Sequence, residues 1–176
     1  VDQSLASGVL NNKGYIVEAD DLVYVSARVT AGNANQAGQV VSKGLAALGL
    51  RFRVGAFTNT LVNNYVDIHY TFVSVLATEN NTTVTFSGMK TGVQLVNSVT
   101  GDSPFNIILN RGESYVMAVQ GPTNENRDGL IGSLVLADKP IAVNCGSFGG
   151  SNAVANLDLG FDQIVPAERI TSSDYI

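Results

Sequence analysis

Apolar and polar positions alternate in short runs along this chain, and turn residues punctuate the runs at intervals of about ten. The alternation predicts strands over residues 15–19, 22–30, 51–57, 67–78, 82–87, 92–99, 105–109, 114–119, 133–136 and 141–147, with an extended segment over 161–165. In TTVTF (82–86) β-branched residues fill the run, as a half-buried strand requires. Residues 67–99 predict a meander with turns at Glu79-Asn80-Asn81 and at 88–91. The connection NRGE (110–113) predicts a hairpin on a type I turn. Pro140 has no N–H and a fixed φ, so it suits the first residue of a strand and separates 133–136 from 141–147. Residues 40–50 have the Ala and Leu content of a helix, but Gly44 and Gly49 limit it to one turn.

One of these patterns occurs twice. GYIVEADDLVYVSA (14–27) lies over GSLVLADKPIAVNC (132–145) at a shift of about 118 positions. Gly14, Val17, Ala19, Asp20 and Val25 are matched by Gly132, Val135, Ala137, Asp138 and Val143. The repeat implies a partial first β unit over 1–66 and a second over 67–176, running into a further strand at 174–176. Both ends of the chain therefore look like cuts in a longer polypeptide. Short strands with no convincing amphipathic helix indicate an antiparallel all-β fold. About seven strands per repeat favour a β-sandwich. A β-propeller, with about four strands per blade, is the alternative.

Composition narrows the function classes. Ten Lys and Arg against fifteen Asp and Glu give a net charge of −5, with no basic stripe to neutralise phosphates. Nucleic acid is therefore excluded as a partner, and so is an anionic membrane surface. No apolar run of about eighteen residues is present, so membrane insertion is not expected. Charged residues make up only 14% of the chain, and with abundant Gly, Val, Thr and Asn they fit an extracellular β protein. Cys145 is the lone cysteine, which excludes an internal disulfide, and its apolar surroundings predict a buried, inert thiol.

Three motifs carry a family resemblance. Ala77, Glu79, Asn80 and Thr82 form the first; Leu109, Gly112, Glu113 and Tyr115 the second; Gly132, Ser133, Asp138, Lys139, Pro140, Ile141, Ala142 and Val143 the third. Together they resemble the IgG Fc-binding protein N-terminal domain family, with bacterial cell-surface members, over roughly 73–176 and more loosely over 14–57. Ala137 stands where serine is commoner, and the first copy has Asp21-Leu22 in place of Lys-Pro. The resemblance implies an extracellular, non-catalytic, adhesin-like surface protein. Its motifs are scaffold motifs, and no matched residue carries Fc binding.

Candidate chemistry is sparse. His69 is the lone histidine, and no G-x-S-x-G elbow accompanies it, so a solvated strand histidine is the better reading. Asn124, Asn126 and Asp128 imitate the first half of a calcium loop, yet Val135 occupies the place of its final acid. They form a weak calcium candidate, and no other cofactor is expected. Asp158 with Asp162 is a second weak oxygen pair. Asp20 and Asp21 are adjacent and so point to opposite faces of a strand. Asn80 and Asn81 each open an N-x-T sequon, which places them on an exposed turn. SFGGSN (147–152) lacks the lysine and helix of a phosphate cradle. Recognition of a protein or glycan then falls to the polar loops at 30–39, 58–65 and 120–129, with Asn33, Asn35, Asn63, Asn64, Asn124 and Arg127 as the exposed groups. The alternative is a structural role, as a spacer or self-associating subunit of a surface fibre.

Overall fold

A computed structural model of the chain describes residues 3–30, 37–56, 70–98, 101–120, 123, 125–150 and 158–170. The strands are β1 (Val9–Leu10), β2 (Ser26–Thr30), β3 (Ala37–Val41), β4 (Gly49–Arg53), β5 (Tyr70–Ala77), β6 (Thr82–Ser87), β7 (Phe105–Leu109), β8 (Ser114–Gln120), β9 (Leu134–Gly150) and β10 (Asp158–Ile164). Helical structure among the described residues is confined to short 3-10 turns, one of them at Gly44–Ala47 inside the stretch limited to a single turn. The fold is antiparallel all-β, as expected. Eight strands form one sheet in the order β1-β8-β5-β9-β6-β7, with β4 and β10 also on β9, and this sheet is nearly closed into a barrel. Among the described residues β2 and β3 pair only with each other.

β9 is the seam of the molecule. Residues 134–137 run between β4 and β6, whereas residues 141–150 run between β10 and β5. The two strands expected at 133–136 and 141–147 are thus one. Asp138, Lys139 and Pro140 make no ladder pair, so the change of partners falls where proline's missing N–H costs nothing. The glycine-rich 147–150 continues β9 rather than opening a loop.

The same seam corrects the expected meander and hairpin. β5 and β6 are not neighbours, because β9 lies between them. β7 pairs with β6 and β8 with β5, so the turn at 110–113 is a corner and not a hairpin. Of the strand expected over 92–99, the described residues keep only a bridge from Leu95 to Val119. No ladder forms over 15–19, and the strand expected over 22–30 shortens to β2. β1 and β3 lie where no strand was expected. The boundary expected between 66 and 67 lies outside the described residues. β1 and β4 before it pair with β8 and β9 after it.

Alternation decides the core. Val73, Val75 and Ala77 of β5, Val84 and Phe86 of β6, and Tyr115, Met117 and Val119 of β8 point inward. Val135, Ile141, Val143 and Cys145 of β9 join them from both halves of that strand. Each large apolar side chain so buried contributes about 1.5–3 kcal/mol. On the outer face Phe72 stacks on Phe148, with ring centroids 4.8 Å apart, and Phe148 lies 6.4 Å from Phe161.

Candidate binding surface

The three motifs meet at one corner, where the chain passes between the two halves of the sheet. Gly112 N–H donates to Ala77 O at 2.9 Å, and Ala77 N–H donates to Glu113 O at 3.0 Å. Arg111 N–H donates to Asn80 Oδ1 at 3.1 Å, and Thr83 N–H donates to Asp138 Oδ1 at 2.8 Å. Lys139 Nζ donates to Asn80 O, and Thr78 Oγ1 to Pro140 O. Gly112, at φ 82°, supplies the left-handed turn that closes the corner. These residues are occupied with one another.

The opposite end of the sheet is made of loop attachments. Tyr70 at the start of β5 is paired with Gln120 at the end of β8 and with Phe148 near the end of β9. Asp158 of β10 is paired with Gly150. Gly38 of β3 lies against Leu159 and Phe161, which brings the Thr30–Ala37 end of the β2–β3 pair to the same side. The strand ends that flank 31–36, 57–69, 121–124 and 151–157 therefore converge. Asn33, Asn35, Asn63, Asn64 and Asn124 belong to these segments and lie outside the described residues, as does His69.

The described part of the third loop is built from within. Asn126 is buried, and its Oδ1 accepts the Gln94 N–H at 3.0 Å while its own N–H reaches Thr123 O at 3.1 Å. Asp128 Oδ1 lies 2.7 Å from Lys90 Nζ. Arg127 is half-buried, and its N–H donates to Thr123 O at 2.9 Å. Among the described residues no three His, Cys, Asp or Glu side chains gather as a metal site. Asp162 pairs with Lys43 at 2.6 Å. Cys145 is buried beneath Gly55, whose N–H approaches its Sγ to 3.4 Å, and burial raises the thiol above its ordinary pKa.

A second surface lies in the first repeat copy. Gly14 rests against Leu76 and Gly112, and Glu18 pairs with Arg111 of the motif corner. Beyond that anchor the apolar side chains stand in the open: Tyr15 is 92% exposed, Leu22 100%, and Val17 and Val23 62% each. Tyr15, Val17 and Val23 border, with Val25, Val40, Lys43 and Gln163, a cleft of about 490 Å³. The alternation that marked 15–30 as strand gave no sign that half of its hydrogen-bond partners would be missing.

No helix among the described residues is long and apolar enough to cross a membrane. No curated protein and no solved structure matches the chain. One family model does, described as IgGFc binding protein, and it spans residues 37–176, from β3 through the motif corner to β10 and beyond. By that match the chain belongs to the IgGFc binding protein family.

Proposed function

We propose that this chain is a non-catalytic extracellular module that binds a protein or glycan through the loops at the end away from the motif corner. What supports the reading is the division of labour along β5, β8 and the second half of β9. Their corner ends are tied up in mutual bonds, and their other ends, about 23 Å away at strand rise, flank the segments whose sequences carry Asn63, Asn64 and Asn124. The family description names IgG Fc, so Fc is the first ligand to test. Immobilised Fc and a glycan array should be probed with the chain and with the variants Asn33→Ala/Asn35→Ala and Asn63→Ala/Asn64→Ala. Loss of binding in the loop variants, with Asp138→Ala binding normally, is the expected result. Binding that survives every loop substitution would overturn the assignment to this end.

The second reading is a spacer or self-associating unit of a surface fibre. The unpaired edge of residues 16–30 favours it, because an open strand invites pairing.

A further inference from the structure

The two repeat copies can be laid over one another strand by strand. Ser26–Thr30 of β2 stands where 144–148 stand in β9, and β3 stands where β10 stands. Ser26 pairs with Val41 and Asn144 with Gln163, so the connection in the first copy is four residues shorter while the pairing is of the same kind. What differs is the other edge. In the second copy, 141–148 pair with β5 and 134–137 with β6. In the first copy the corresponding 23–30 and 16–19 have, among the described residues, no strand beside them on that edge. Burial follows: Val135 and Ile141 are fully buried, whereas their counterparts Val17 and Val23 are mostly exposed. The aspartates differ in the same way. Asp138 accepts the N–H of Thr83 at the corner leading into β6, and among the described residues none donates such a bond to Asp20 at the matching place.

We propose that residues 16–30 are the unfilled central strand of a second β unit, and that another unit of the same repeat fills it with strands equivalent to β5 and β6. The incoming β5-like strand pairs with 23–30 and the β6-like strand with 16–19. Apolar residues of the arriving unit cover Val17, Val23 and Val25, and Asp20 accepts the backbone N–H that starts its β6-like strand. The proposal stands whether or not the loops bind Fc.

The test compares amide hydrogen exchange over 16–25, the part not already paired with β3, in two chains. One is the full chain, and the other carries a second copy of residues 59–118 directly before Val1, which restores around Asp20 the sequence order found around Asp138. The expected result is rapid exchange in the first chain and at least about tenfold slower exchange in the second. Asp20→Ala and Val23→Asp should each reverse that protection in the extended chain and leave the original chain unchanged. Three results overturn the proposal. The first is an extended chain in which 16–25 stay unprotected, whether or not the added segment is itself ordered. The second is protection in the original chain that rises with concentration, which assigns the edge to a second copy. The third is protection in the original chain at every concentration, which means that the edge is closed within one molecule.

Discussion

Among the described residues a strand N–H donates to Asp138 and none to Asp20, and this is the clearest contrast between two residues of one sequence pattern. Asp138→Ala removes the acceptor of Thr83 N–H and should lower stability by about 1 kcal/mol in urea unfolding. Asp20→Ala should change it by less than about 0.5 kcal/mol. Asn126→Ala removes a buried side chain whose Oδ1 accepts the part-buried Gln94 N–H, at a cost of about 1 kcal/mol. Because that loss is a hydrogen bond, it should be the same in excess calcium and in chelator. Two buried groups set the alkaline limit. Burial raises the Cys145 thiol above 9.0 and the Tyr115 phenol above 10.0, so both hold their protons more tightly folded than unfolded. Their contribution is complete below those values and is lost as pH climbs through the raised ones. The urea midpoint should therefore fall above about pH 9, and Tyr115→Phe should flatten the upper part of that fall. The inertness expected of Cys145 corresponds to slow alkylation of its thiol in the native protein and rapid alkylation in urea.

At the scale of elements, the sequence declared which segments are extended but not which are neighbours. β6, β7 and β8 lie where the pattern put them, because β6 and β7 alternate between buried and more exposed positions and a period of two is a local property. Adjacency is not local. The turns at 79–81 and 110–113 have hairpin chemistry, yet both are corners, and only the insertion of β9 between β5 and β6 reveals it. Pro140 suggested a break, although ladder pairing changes hands there without interrupting the strand. The first repeat copy read as strand because it has the composition of β9. It forms no ladder over 16–19 because composition cannot supply a partner. The energetic signature is direct. Ile141→Ala should cost about 2–5 kcal/mol, whereas Val23→Ala, at the matching position, should cost less than about 0.5 kcal/mol in the same chain.

For the whole molecule, the all-β architecture and the family were legible from alternation and from three motifs, and the match over 37–176 bears out the resemblance. The location of the motifs was not legible, since Ala77, Gly112 and Asp138 are remote in sequence and meet only through the sheet. That meeting separates a scaffold end from a loop end, which no single segment could announce. The seam also restricts how the sequence can change length. Val135 and Ile141 face one core from opposite sides of the Asp138–Pro140 junction, so their spacing must stay even. One glycine inserted between Lys139 and Pro140 would turn the second half of β9 inside out and should abolish folding, whereas two inserted residues keep the parity and should be better tolerated, as circular dichroism melts would record. Descendants of this sequence can lengthen or shorten their loops, but the ruler inside β9 allows change only in pairs.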